Sequence, residues 1–285
     1  TIRQRDFPRT FQPFEVKVLP EMAAMRLLLR SRHEVLEEHH PEWGWARIVC
    51  AELVWLPLAL ELAAAYLGVY PEVSITGYLE RLRDEGSLET VDDSEVRAVD
   101  LPTRVEEILK AAAAGNLERK HQVAVSATLQ TQWKRLDDKD AQLLFRAAGQ
   151  FPEASWIPIP RLGLLTGVES EAKPGRPSPI SIVLKKLHAV SLIEELADDR
   201  LRLHPLVQEF ATRLSPASFR LELAERVTAE FNNLMCLQAR VIHYGIDMAL
   251  EDVRTALGFC MERPETETYS RISKMERVLD RQAHG

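Results

Sequence analysis

Apolar residues recur along most of the chain at the spacing of helix faces, which predicts a mainly α-helical protein. The clearest case runs from Pro57 to Gly68, with proline in the first turn and glycine at the end. Apolar residues at i, i+3, i+4 and i+7 form one face there: Ala59, Leu62, Ala63 and Tyr66. Other apolar residues cover the remaining sides, so this helix is expected to be deeply buried.

The segments on either side of this helix give weaker patterns. Apolar and polar residues alternate over 14–18, which predicts a short strand, and helices are expected over 20–38 and 45–54. A short helix is expected over 78–83. The acidic stretch 84–100 has few large apolar residues and is expected to be an exposed connection.

Residues 136–214 are expected to form one compact unit. A helix capped by Asp137, a short helix around Leu162 and a helix starting at Ser178-Pro179 are followed by two short strands, 192–196 and 200–204. Three helices and a hairpin in this order are typical of a winged-helix domain. After a last short helix, the pattern predicts one long helix over 219–244 and more helix beyond it, in an arm expected to continue past the last residue given.

Composition narrows the function classes. The formal net charge is −7, and this argues against nucleic acid as the main partner, because phosphate binding needs a concentrated basic face. The three cysteines, Cys50, Cys236 and Cys260, have no C-x-x-C spacing, so a disulfide framework or a zinc site is not indicated and a cytoplasmic setting fits. No apolar run is long enough to span a membrane.

Three short stretches resemble motifs of the NB-ARC domain, the nucleotide-binding module of STAND signalling NTPases. Trp55-Leu56-Pro57-Leu58-Ala59-Leu60 resembles the family's G-L-P-L-A-L. Leu203-His204-Pro205-Leu206-Val207 resembles M-H-D-L-V, and Thr1-Ile2-Arg3 resembles the T-T-R sensor. The three occur in the family's order, and the resemblance covers about Thr1 to Leu214.

The resemblance implies a mainly α fold with four parts. Residues 1–19 would be the end of an α/β NTPase domain, and 20–100 a helical domain with the acidic connection. Residues 101–215 would be a winged-helix domain with a leading helix, and 216–285 a helical arm leading to a downstream sensor region.

The departures from the family pattern also carry expectations. Trp55 stands where the family has glycine, so the loop is expected not to use a positive φ. Pro205 replaces the family's Asp and removes one polar contact. No glycine of the chain is followed by lysine, so the P-loop motif G-x-x-x-x-G-K-[ST] does not occur in it and is expected upstream. We expect no catalysis from this chain alone, whereas the full-length parent would be an ATPase.

Four residues would contact nucleotide by carry-over from the family. Arg3 would sense the γ-phosphate, and Pro57 with Leu58 would pack against adenine. His204 would contact the β-phosphate of ADP at a strand-to-helix junction, where the helix dipole favours an anion. The alternatives are a solvated terminal arginine, an ordinary first-turn proline and a capping or part-buried histidine.

The function implied is the regulatory half of an ADP/ATP-controlled signalling switch that oligomerises on activation. The implied cofactors are ADP and ATP, with Mg²⁺ held by the upstream P-loop NTPase domain. The implied partners are that domain, further copies of the protein and a downstream sensor domain, possibly of WD or other repeats. An effector domain would precede Thr1, and defence signalling is the implied context.

Two other functions stay open at this point. A winged-helix transcription regulator would use Lys185 and Lys186 on DNA, but the adjacent acids Glu194, Glu195, Asp198 and Asp199 would repel phosphate. A nucleotide-free interaction scaffold is the third possibility. No catalytic arrangement rises above chance, and His39 and His40 are expected to be a solvated helix end rather than metal ligands.

Overall fold

The computed structural model describes residues 18–37, 39–85, 117–172, 175–216, 218–231 and 234–284. Thirteen α-helices and three short strands make up these described residues, which confirms the mainly α fold class. The chain divides into two compact units, Thr1–Val125 and Ser126–Gly285. The predicted strand over 14–18 and most of the acidic connection lie outside the described residues.

The first unit is built around one buried helix. Its elements are α1 (Glu21–Leu28), a 3₁₀ turn (His33–Leu36), α2 (Trp43–Glu52), α3 (Pro57–Val69) and α4 (Ile75–Glu85). The α3 helix is apolar on nearly every side, as the sequence predicted, apart from the exposed Glu61. It packs against α1, while α2 packs against α1 and α4. The rings of Tyr66 and Tyr78 lie 5.2 Å apart, and both side chains are fully buried.

The prediction of a helix to residue 38 is wrong, because α1 ends at Leu28. Arg32 gives a physical reason. Its guanidinium donates to the carbonyl oxygens of Leu67 at 2.9 Å and Tyr70 at 3.1 Å, at the end of α3. These bonds satisfy carbonyls that the α3 helix leaves without partners, and they hold the chain in turns after α1.

A long helix, α5 (Leu117–Arg135), contains the residues at which the two units divide. The second unit continues with α6 (Lys139–Ala148), β1 (Ile157–Pro158), α7 (Ile159–Thr166), α8 (Pro179–Ala189), β2 (Glu195–Leu196), β3 (Arg200–Arg202) and α9 (Pro205–Arg213). The strands form an antiparallel sheet in the order β1-β3-β2, in which Leu201 is opposite both Ile157 and Leu196. In chain order, α6, α7, α8 and the β2–β3 hairpin are the three helices and the hairpin expected from the sequence for this region, and the part from α6 to α9 is called the winged-helix part below.

Capping side chains mark the starts of two of these helices. Ser178 caps α8, as predicted, by accepting a hydrogen bond from the Ser181 N–H. The predicted cap of α6 was one residue off: Asp138, not Asp137, accepts from the N–H groups of Asp140 and Ala141. The strand β1 was not predicted, since it has only two residues between proline-rich segments.

Four helices complete the second unit: α10 (Phe219–Phe231), α11 (Leu234–Tyr244), α12 (Ile246–Cys260) and α13 (Glu267–His284). These four helices are called the arm below. The prediction of one helix over 219–244 covers α10, α11 and residues 232–233, which lie outside the described part. Gly245 joins α11 to α12 with a φ of 87°, which glycine adopts without strain. Among the described helices, none has the length and apolar character needed to cross a membrane.

Candidate functional site

Pro57 and Leu58 lie at the start of α3, in the first unit. Leu56 is extended, with φ −76° and ψ 124°, as expected for the residue before a proline, and no side chain caps the helix. The Pro57 ring is exposed and Leu58 is half-buried. The helix start therefore presents a small apolar surface to solvent, of the kind that can cover one face of a flat ring.

The loop before Pro57 adopts the backbone conformation that its sequence was expected to exclude. Val54 has a φ of 53° and Trp55 a φ of 56°. The expectation that Trp55 prevents a positive φ is thus wrong. A positive φ costs an L-residue about 1–2 kcal/mol, and a β-branched valine is rarely found there.

Hydrogen bonds and burial hold this loop in place. The Val54 N–H donates to Ala51 O at 2.9 Å and the Trp55 N–H to Cys50 O at 3.0 Å, the two bonds of a Schellman motif at the end of α2. The Trp55 carbonyl in turn accepts from the Leu19 N–H at 3.1 Å. Trp55 is 5% exposed. Burial of the large indole offsets the backbone strain, which explains why a position suited to glycine carries tryptophan.

A polar cleft of about 300 Å³ lies elsewhere in the first unit. Its lining includes Arg32, Glu42, Leu67 and Gly68, so it adjoins the end of α3 and not its start. Leu67 is ten residues beyond Pro57, a helical rise of about 15 Å. This cleft is therefore separate from the exposed proline.

His204 lies in the second unit, between β3 and α9. It is the N-cap of α9, and its Nδ1 accepts a hydrogen bond from the Leu206 N–H at 3.2 Å. Pro205 occupies the first position of the helix. His204 therefore caps α9, which was one of the two roles considered for it from the sequence. Because Nδ1 accepts, Nε2 is the ring nitrogen that would have to donate to a phosphate.

Gln208, one helical turn after His204, was not singled out from the sequence. Its side chain is 5% exposed, and its Nε2 donates to the carbonyl oxygens of Phe151 and Pro152 at 2.5 and 3.1 Å. Its Oε1 accepts from the Ala154 N–H at 3.3 Å, where the chain has a φ of 56°. Gln208 therefore fixes α9 to the loop before β1.

A close backbone approach fixes the same helix further along. A side chain at Gly149 would place its Cβ 2.7 Å from the Cβ of Ala211, so only glycine fits between α6 and α9. Thr212 Oγ1 donates to the Gly149 carbonyl at 2.6 Å. The α9 helix, and with it His204, is thus held by side-chain and backbone contacts along its length.

Two basic side chains near α8 and the β2–β3 hairpin are paired with carboxylates. Lys186 Nζ lies 2.6 Å from the Asp138 carboxylate, and this hydrogen bond is the main reason why the pKa of Asp138 is lowered from its ordinary value. Arg202 pairs with Glu194 and Glu195. These ion pairs leave Lys186 and Arg202 less available to a phosphate, which disfavours phosphate binding by these two residues.

The other residues proposed from the sequence as nucleotide or metal contacts lie in different parts of the chain. Arg3 lies outside the described residues. In the part of the chain that the structure describes, no cluster of three or more His, Cys, Asp or Glu could hold a metal ion, and His40 Nδ1 accepts from the Glu42 N–H at 3.2 Å. Pro57 and Leu58 belong to the first compact unit and His204 to the second.

Comparisons of the chain with protein families, with curated proteins and with solved structures found no match.

Proposed function

We propose that the chain is the regulatory half of an ADP/ATP-controlled STAND (NB-ARC) switch, in a cytoplasmic signalling protein that oligomerises on activation. The proposal rests on the three motif-like stretches in the family's order and on the geometry around two of them. Its cofactors are ADP and ATP, bound chiefly by an upstream P-loop domain that also holds Mg²⁺. Catalysis is assigned to that domain and none to this chain.

The observation that carries the proposal is the left-handed backbone at Val54 and Trp55. The family motif has glycine where Trp55 stands, and glycine is the residue that a positive φ favours. Trp55 therefore has a positive φ, the backbone conformation that a glycine at this position would readily adopt. Strained non-glycine positions cluster at functional sites, so this outlier next to Pro57 favours a functional role for the loop.

The two helix starts supply different kinds of contact in this proposal. The exposed ring of Pro57, with Leu58, would pack against the adenine of the nucleotide. The Nε2–H of His204 would donate to the β-phosphate of ADP, while Nδ1 continues to cap α9. The His204 contact would be made only in the closed form, so its loss would favour the open form that oligomerises.

Nucleotide content tests the proposal in the protein expressed together with the segment upstream of Thr1. The wild-type protein is expected to retain ADP, measured by chromatography of the denatured sample. Pro57→Ala is expected to lower that content, since it removes the ring and keeps the helix. Pro71→Ala is the matched control, because Pro71 is also exposed but lies beyond the other end of α3.

Three outcomes would contradict the proposal. Wild-type protein free of nucleotide would favour the interaction scaffold, and sequence-selective DNA binding would favour a transcription regulator. Equal ADP loss in Pro57→Ala and Pro71→Ala would show that Pro57 has no particular place at the nucleotide.

A further inference from the structure

A buried ion triad joins the winged-helix part of the second unit to the arm. Asp252 of α12 is fully buried. Its Oδ1 lies 2.7 Å from Arg161 Nε of α7, and its Oδ2 lies 2.7 Å from Arg240 Nε of α11. One carboxylate therefore bonds two arginines from two different helices.

Further atoms of the two guanidinium groups also make contacts within the unit. Arg240 Nη2 donates to the Pro160 carbonyl at 3.0 Å, and its guanidinium lies 4.7 Å from the centre of the Tyr244 ring. Arg161 Nη2 contacts Met248 Sδ at 3.6 Å. The arginine side chains are only 12% and 10% exposed. Removing the carboxylate from such a set leaves two uncompensated buried positive charges, which is strongly unfavourable.

The arm holds α7 at both of its ends. At the start of the helix lie the triad and the Arg240 bond to Pro160. At its end, Arg226 of α10 donates to the Thr166 carbonyl at 2.9 Å, where a cation is favoured by the helix dipole. The helices α10 and α7 also pack against each other.

We propose that Arg161, Asp252 and Arg240 form an ionic latch that keeps helices α11 and α12 of the arm docked on the winged-helix part, so that the two parts move as one body. Asp252 is the positioning residue of this latch, since it acts through both arginines. The latch stands independently of the proposed nucleotide switch, because it requires no ligand.

Amide hydrogen exchange of the whole chain tests the latch. Asp252→Asn is expected to raise exchange in α11 and the first half of α12 about a hundredfold, since a buried charge pair loses its anion. Exchange in α8, β2 and β3 is expected to stay within about twofold. Arg254→Gln is the matched control on the same helix, because its pairs with Glu276 and Asp280 are exposed, and it should change arm exchange less than about fivefold.

Arg161→Met provides a second variant that keeps the Asp252–Arg240 pair and removes only the partner on the winged-helix side. It is expected to raise exchange at the start of α12 while α8 to β3 stay protected. Unchanged arm exchange in either variant would overturn the latch. An equal rise in the arm and in α8 to β3 would also overturn it, because the triad would then contribute only to the global stability of the unit.

Discussion

Two helix starts, those of α3 and α9, carry the candidate contacts and are built in different ways. Each has proline at its first position after an extended residue, with ψ of 124° at Leu56 and 140° at His204. No side chain caps α3, and the loop before it is strained. The α9 helix is capped by an imidazole and follows a strand of the sheet.

The difference shows two ways of fixing an exposed position. The start of α3 is set by backbone hydrogen bonds and by the buried indole of Trp55, so apolar changes should disturb it most. The start of α9 is set by polar side chains, His204 and Gln208, so loss of hydrogen bonds should disturb it most. Loss of apolar bulk should therefore destabilise the start of α3 most, and loss of hydrogen-bonding groups should destabilise the start of α9 most.

The largest effect is expected at Trp55. Trp55→Ala should lower the free energy of unfolding by about 3–5 kcal/mol, because a large buried ring is lost. Trp55→Gly should cost roughly 1 kcal/mol less than alanine, since glycine adopts the positive φ without strain. Urea unfolding followed by circular dichroism measures both values. A glycine variant less stable than the alanine variant would argue against strain at this position.

A smaller effect is expected in the second region. Gln208→Ala should lower the free energy of unfolding by about 1–3 kcal/mol, because the carbonyls of Phe151 and Pro152 lose their buried donor. Gln238→Ala, on an exposed position of α11, should stay within about 0.5 kcal/mol of the wild type. Equal effects of the two substitutions would show that Gln208 does not hold α9.

An effect that depends on pH is expected at Asp138. Asp138→Asn keeps a residue able to cap α6 but loses the ion pair with Lys186, at a cost below about 1 kcal/mol near neutral pH. The pKa of Asp138 is lowered in the folded protein, so the stabilisation is present above the ordinary value of 3.8 and is lost as the pH falls through the lowered pKa. Unfolding experiments across this range should show the difference between the two proteins disappearing in acid. A difference that persists there would exclude the ion pair as its source.

No effect is expected for duplex DNA binding. Because Lys186 and Arg202 are paired with carboxylates and the chain has a net charge of −7, neither the wild type nor Lys185→Glu should bind DNA specifically at micromolar concentration. Fluorescence anisotropy with labelled duplexes at two salt concentrations measures this. Salt-sensitive, sequence-selective binding that Lys185→Glu abolishes would favour the transcription-regulator alternative.

Local signals explain which parts of the fold could be predicted. The start of α3 has a first-turn proline, and α8 has both a serine cap and a proline, so both were placed correctly. The end of α1 was not, because the bonds from Arg32 reach residues 35 and 38 positions away in sequence. Such long-range contacts leave no periodic pattern in the segment that they terminate.

The candidate site was predictable only in its residues and not in its geometry. Pro57, Leu58 and His204 were identified by resemblance, but the positive φ at Trp55 is imposed by burial and by the end of α2. Gln208 gave no signal, since a single glutamine in a helix is ordinary and its carbonyl partners lie 57 and 56 positions away. The positive φ at Trp55 and the hydrogen bonds of Gln208 thus both depend on tertiary contacts.

The most direct test of the account compares two substitutions of His204 in the protein expressed with the upstream NTPase domain that the proposed function requires. His204→Ala removes both the cap and the Nε2–H, whereas His204→Asn can still accept from the Leu206 N–H and so keeps the cap. A hydrogen bond to a charged phosphate contributes about 1.5–3 kcal/mol, or about ten- to a hundredfold in ADP affinity. Both variants are therefore expected to lose bound ADP and to show a larger oligomer fraction by size-exclusion chromatography, while only His204→Ala loses stability. Wild-type ADP content and oligomer fraction in His204→Asn would contradict the account and leave His204 as a helix cap alone.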